Sequence, residues 1–405
     1  MRVITRQIDA PSSLVPLLDP SRPLLFVRRG EGIGGIGEAL RLEFSGPDRI
    51  RDAAAAWRRI AADAQIDDPV GLSGSGLVAF GAFTFAAGSD RPSVLIVPRV
   101  IVGRRDGVGW ITRVQVDEGD DADDRVAAAP FGPEYRIPLR PGATPPDRYR
   151  EIVAEAVRRI HAGDAAKVVL ARDLVGHIPV DADLRRVVGE LALGYPDTWT
   201  FAIDGLLGSS PETLVRVGHG TVTARVLAGS AARGVDAASD QAAALALATS
   251  TKDLDEHRFA VQSVLASLEG HVRGVAASEV PYALKLPNLW HLATDVEAGL
   301  ADGSSVLDLA AALHPTAAIA GTPTDAAVAA IAELEGIDRR RYSGPVGWID
   351  AAGNGKWAIA LRSAEVDAAG GVTAYAGAGI VADSDPEHEL AETRLKFRPI
   401  VEAFG

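Results

Sequence analysis

The sequence predicts a protein of mixed helices and strands, rich in antiparallel sheet. Two patterns carry this: short β-runs cut by glycine turns between Leu24 and Val100, and helical and strand patterns that mix from about residue 146 onward without a repeat of fixed period. Near the N-terminus LLFVRR, ALRLEF, LVAFGAFTF and SVLIVPRV read as strands, with one helix near Asp52 to Ala64. Acidic EGDDADDR (118–125) and PLRPGATPPDRY (138–149) read as solvated linkers, setting a β-rich segment over residues 1–145 apart from a core over residues 146–405. The core reads as a helix over 146–162, the strand AAKVVLARDL, a helix near 183–193, strands around 198–227 and one long helix over 239–269. Strands in LPNLWHLATDVEAGL and YSGPVGWID, a helix at 322–335, strands near 355–376 and a terminal helix follow.

A length of 405 residues guarantees a sizeable core, and 47% hydrophobic with 23% charged residues is ordinary for a soluble protein. No segment approaches the roughly 18 apolar residues of a membrane span. The N-terminal MRVITRQIDAPSSLVPLLDP meets aspartate and proline too early for a secretory signal, so a cytoplasmic location is expected. The lack of cysteine excludes disulfides, thiolate metal sites and cysteine nucleophiles. A net charge of -13 and the lack of a basic patch with aromatics oppose nucleic-acid binding.

One motif is a decoy. Gly32, Gly34 and Gly37 match G-x-G-x-x-G after a strand, but dinucleotide binding needs a helix next, and ALRLEF alternates like a strand. These glycines read as a hairpin or bulge, and GLSGSG at 71–76, which lacks a P-loop lysine, reads as a turn.

The most informative stretch is GAGIVADSDPEHELAETRLK (377–396), read as a glycine-rich turn running into a helix. At about 100° per residue, Glu389, Glu392, Thr393 and Lys396 share one arc beside an apolar stripe of Leu390, Phe397, Val401 and Phe404. Two readings stand: an exposed i,i+4 pair of Glu392 with Lys396, or a ligand site approached by Gly377 and Gly379, with Ser384 or Asp385 capping a helix that starts at Pro386.

Lys167 shares a strand face with Val169 and Ala171, where it is either an edge lysine reaching water or a general base whose proton affinity drops through burial near another cation. Glu212 sits where one strand turns into the next, a place from which an acid reaches a cleft or merely meets solvent. Glu256 falls on the helix side of Phe259, Ala260 and Ser263, opposite Leu254, Val261, Leu265 and Leu268. Glu256, Glu389 and Glu392 together offer the hard oxygen ligands that magnesium accepts, and no His/Cys cluster points to zinc. His291 on a strand is either a backbone-bonded core histidine or a substrate contact. Arg362, alternating with apolar residues in KWAIALRSAEV, suits bidentate carboxylate binding or a cross-strand ion pair.

Taken together, KVVLAR, SPETLV, VLAGSAARG, KDLDEHRFAV, LWHLAT, LHPTAAIAGTP, YSGPVGWID, ALRSAE and GAGIVADSDPEHELAETRLK resemble, in this order, the chorismate-utilising enzymes. GIGEALRLEF and LVAFGAFTF extend the resemblance toward the N-terminus. It implies one α+β domain over 1–405 in which two large antiparallel sheets pack face to face with helices outside, the linker being an excursion. Within the family Lys167 is similar to the water-activating branch, whereas anthranilate synthases generally have glutamine there. Ala228 resembles the isochorismate synthase version and departs from the lysine of aminodeoxychorismate synthases. Salicylate synthase, which adds pyruvate elimination to the same water chemistry, is the alternative branch. The resemblance implies Lys167 as base, Glu212 as acid, Mg2+ on Glu256 and Glu392 with Glu389 in support, and chorismate as substrate. Substrate contacts are implied at Gly229, Ser230, His291, Ala318, Ile319, Arg362, Gly377, Gly379 and Lys396. A monomer without a glutamine amidotransferase subunit is expected, its product feeding menaquinone or a siderophore.

Overall fold

The computed structural model describes residues 1–116, 126–287 and 289–405; the acidic run 118–125 lies outside them. Two large sheets dominate, and both draw strands from before and after residue 146. The first sheet runs from Lys167–His177 through Gly371–Ile380, Ser363–Val366, Leu206–Ser210, Trp199–Ile203 and Leu24–Arg28 to Glu31–Ile36 and beyond. The second runs from Val272–Ala277 through Leu289–Leu300, Thr221–Ala232, Thr213–Gly218, Gly355–Ile359 and Pro345–Asp350 to Val78–Ala82 and its neighbours. Among the described residues pairing is antiparallel except where Arg2–Asp9 meets Gln65–Asp67.

Side-chain alternation explains why Leu24 to Val27 in LLFVRR are all apolar. Leu24, Phe26, Phe201 and Ile203 join the second sheet's Phe80, Trp348 and Trp357 in one apolar cluster. Their neighbours Leu25, Val27 and Ala202 turn the other way, against Val187, Leu191, Phe397 and Phe404 of the outer helices Leu184–Gly194 and Pro386–Phe404. The first sheet is therefore buried on both faces here, and a two-sided core removes the polar face an exposed sheet would show. Among the described residues no helix is long and apolar enough to cross a membrane.

The Gly32 to Gly37 motif is a hairpin arm, as expected. Strand Glu31–Ile36 returns along Leu24–Arg28 through Arg29 and Gly30, both at positive φ, the geometry of a tight hairpin turn. A Cβ on Gly35 would lie 2.6 Å from Pro98, so close packing accounts for that glycine.

Several expectations are corrected. The helix over 239–269 is two, Ala237–Thr249 and Thr251–Leu268, because Ser250 accepts a hydrogen bond from the amide of Asp253 and caps a new start. The restart shifts the helical phase: the second helix buries His257, Ala260, Val264 and Leu268, while Phe259 is exposed. In the terminal helix the apolar stripe is Leu390, Phe397, Ile400 and Phe404, with Val401 largely exposed. Gly377 and Gly379 lie inside strand Gly371–Ile380 rather than in a turn. Arg362 belongs to no strand. Helix Val306–Leu313 and strands Arg2–Asp9, Val100–Arg105 and Val108–Gln115 add to the elements expected from the sequence.

Candidate active site

The site forms where the chain passes between the two sheets. Residues 211–212 connect Leu206–Ser210 of the first sheet to Thr213–Gly218 of the second, and 360–362 connect Gly355–Ile359 of the second back to Ser363–Val366 of the first. The crossings are tied together: Ile359 N donates to Glu212 O at 3.2 Å, and Ser209 N donates to Arg362 O at 3.1 Å. Arg362 takes φ 49, a left-handed conformation that non-glycine residues adopt at a cost of order 1 kcal/mol. Its guanidinium is buried and so aimed by the backbone rather than by a strand pleat.

Around these crossings lies a cavity of about 220 Å³ lined by all fourteen residues singled out above: Lys167, Glu212, Gly229, Ser230, Glu256, His291, Ala318, Ile319, Arg362, Gly377, Gly379, Glu389, Glu392 and Lys396. Lys167 enters from the start of strand Lys167–His177, on the same side as Val169. Across from it Gly379 leaves the necessary room, since a Cβ there would stand 2.8 Å from Lys167 Cε. The lysine meets an acid rather than another cation, its Nζ lying 2.5 Å from Glu256 Oε1. Gly229, at φ 79, makes the bulge in strand Thr221–Ala232 that re-registers Ser230 against His291.

Burial controls the protonation states. Desolvation raises the Glu212 carboxyl to about 8 against the opposing pull of Arg362, Lys167 and Lys396, so this acid is protonated at neutral pH. His291 is driven down to about 3, first by desolvation and then by Arg362 and Lys396. The neutral ring is assigned by its partners: Nε2 accepts from Arg362 Nη2 at 3.1 Å, leaving Nδ1–H to donate to Gly229 O at 3.3 Å. Glu392 feels the same desolvation, but Lys396 Nζ at 2.6 Å and the Ser230 hydroxyl at 3.0 Å outweigh it and hold the carboxyl low. Glu389 goes the other way, raised by burial and by the negative charge of Glu392, although the Ser384 hydroxyl donates to it at 2.7 Å. Lys396 also donates to Gly377 O at 2.9 Å.

The three acids do not converge as a closed acidic cluster. Each leans on a different protein group, and among the described residues no three acidic, histidine or cysteine side chains group so as to hold an ion. The cavity also includes residues that sequence reasoning missed, notably Tyr342, Leu361, Lys252 and Asp253. Lys252 and Asp253 lie one helical turn before Glu256, a spacing that carried the signal. Tyr342 and Leu361 stand next to Ser343 and Arg362, both at positive φ, and carried none. Behind the lysine strand, Arg339 donates to Val169 O at 2.7 Å and Ile319 O at 3.1 Å, while Glu335 accepts from Ala171 N at 2.7 Å. This buried pair joins the strand of Lys167 to the turn of Ala318 and Ile319.

Residues 23–405 match the family described as "Chorismate binding enzyme". The chain belongs to that family. Relatives of this chorismate-binding enzyme include the isochorismate synthase DhbC of Bacillus subtilis (strain 168), 40% identical over 272 residues that make up 64% of this chain and 68% of that protein. The putative isochorismate synthase MenF of Mycobacterium tuberculosis (strain ATCC 25618 / H37Rv) is 35% identical over 350 residues, 82% of this chain and 88% of that one. Among solved structures, MenF, the menaquinone-specific isochorismate synthase of Escherichia coli, superposes with a TM-score of 0.81 at 25% identity, covering 99% of this chorismate-binding enzyme and 94% of that chain. The agreement confirms the α+β fold of two large, mostly antiparallel sheets with helices outside.

Proposed function

We propose that the enzyme is an isochorismate synthase, converting chorismate to isochorismate by adding water at C2 with loss of the C4 hydroxyl. The observation that carries the reading is one cavity holding a lysine and a protonated buried carboxyl, Lys167 and Glu212, beside two cations, Arg362 and Lys396. Relatives named as isochorismate synthases, 35–40% identical, support this branch. Lys167, which must act in its neutral amine form with its proton given up from the Glu256 pair, takes a proton from the water that bonds to C2. The ring double bonds shift, the C4–O bond breaks, and Glu212 delivers its proton so that the leaving group departs as water. Atoms balance, one water entering and one leaving, and no covalent enzyme intermediate is needed. Arg362 and Lys396 attract the dianionic substrate into a protein of net charge -13. Neutral His291 accepts from Arg362 and thereby orients it.

The donor set fits magnesium in kind, being three carboxylates with no competing thiolate. Glu389, whose carboxyl is raised by burial and by the negative charge of Glu392, is in the situation a divalent cation relieves. Glu256 and Glu392 would hold the ion with Glu389 in support, and when bound it would supply positive charge to a substrate carboxylate. A cytoplasmic monomer acting without an amidotransferase subunit completes the reading.

The test is one chromatographic assay resolving isochorismate, salicylate, anthranilate and pyruvate, run on purified protein with Mg2+, with and without ammonium. Isochorismate alone is expected. Salicylate with stoichiometric pyruvate would move the enzyme to the salicylate synthase branch, and unchanged chorismate would leave a binding protein.

A further inference from the structure

Glu212 stands between two cavities. One is the charged cavity above, and the other, of about 10 Å³, lies beside Thr213, Arg225, Thr316 and Ala318, close to the smallest volume that accepts one water. Thr316 comes from the turn between helix Val306–Leu313 and strand Gly321–Thr322, and its buried hydroxyl has no hydrogen-bond partner among the described residues. An unpaired buried hydroxyl costs about 1–3 kcal/mol, so such groups in native proteins are met by ordered water. Thr213 Oγ1 accepts from Trp199 Nε1 at 2.8 Å, which leaves its own hydrogen free to donate. Arg225, paired with Asp295, is partly exposed, so the small cavity approaches solvent on its side.

The chemistry gives this second cavity a task. Each turnover leaves Glu212 one proton short and Lys167 one proton in excess, while bound substrate or product covers the front of the acid. We propose that the small cavity holds one water that bridges Thr316 and Glu212 and returns a proton to the acid from behind. The Glu212 carboxylate takes a proton from this water, which takes one in turn from the solvent side; the Lys167 proton leaves through the main cavity, so the cycle closes without net change. Thr316 is then a positioning residue acting through the water. The inference rests on the isochorismate synthase reading.

Thr316→Val keeps the shape and deletes the hydroxyl, and Thr316→Ser restores it. The expected result is a roughly tenfold lower kcat for Thr316→Val, a fraction of the 10²–10⁴-fold that a positioned acid supplies, with KM for chorismate unchanged. Its solvent deuterium isotope effect on kcat should rise, because proton return now limits turnover, and Thr316→Ser should behave as wild type. A high-resolution crystal structure should show a water within hydrogen-bond reach of Thr316 Oγ1 and the Glu212 carboxyl, lost in Thr316→Val. Wild-type kcat and isotope effect in Thr316→Val, or a dry cavity in the wild type, would overturn the relay alone. A wild type that makes no isochorismate would overturn the functional reading and the relay with it.

Discussion

Along the terminal helix Pro386–Phe404, Glu392–Lys396 and Arg398–Glu402 are both i,i+4 ion pairs with a separation of 2.6 Å. They differ in surroundings. The first is 20% and 15% exposed and faces the cavity, whereas the second is 58% and 50% exposed and faces water. An exposed i,i+4 pair contributes only about 0.3–0.5 kcal/mol. A pair drawn into a cavity is a charge store, because either member left alone in low dielectric must find another partner. Burial, not spacing, separates the functional pair from the incidental one.

The largest expected effect lies at the proposed base in the cavity. Lys167→Ala should reduce turnover by about 10²–10⁴-fold, measured by the isochorismate assay, with a circular dichroism spectrum unchanged from wild type. An active variant would break the contrast between cavity and surface charges.

Glu212→Gln sharpens it through pH. Between the ordinary carboxyl value of 4.5 and about 8 the native state holds a proton that the unfolded chain has lost. Wild-type stability therefore falls as pH rises through that window, and Gln, which cannot ionise, removes the fall. Chemical denaturation at about pH 9 should find the variant more stable by a few kcal/mol, with no difference below about pH 4. The same protonation predicts that wild-type turnover declines as pH rises through about 8.

Lys396→Met leaves Glu392 without its cation and should raise KM for chorismate by roughly thirtyfold, about 2 kcal/mol, with a smaller change in kcat. Arg398→Ala, on the same helix, is expected to change stability by no more than about 0.5 kcal/mol and kinetics not at all. Equal effects of these two substitutions in steady-state assays and thermal melts would refute the distinction.

What is legible in the sequence divides along physical lines. Strand alternation puts Lys167 and Val169 on one face, and both line the cavity. Helical periodicity groups Glu389, Glu392 and Lys396, because that arc lies on one uninterrupted helix. The phase of Glu256 escapes it because it is set afresh at Ser250, and because the buried face of its helix includes His257, whose ring bonds Thr294 and Ala228. Periodicity counts apolar residues and does not see a polar residue satisfied inside a core. Arg362 reads as a strand residue since its neighbours alternate, yet there the chain leaves one sheet for the other, an event with no short-range pattern. The pairing of Lys167 with Glu256 likewise depends on a contact between residues far apart in sequence.

The left-handed backbone at Arg362 has a consequence for selection. Glycine would relax that conformation while deleting the guanidinium that bonds His291 and is proposed to meet the substrate. Screening variants for heat resistance and screening them for turnover should therefore pull this position in opposite directions, which makes it a place where survival of the fold and survival of the pathway can be told apart.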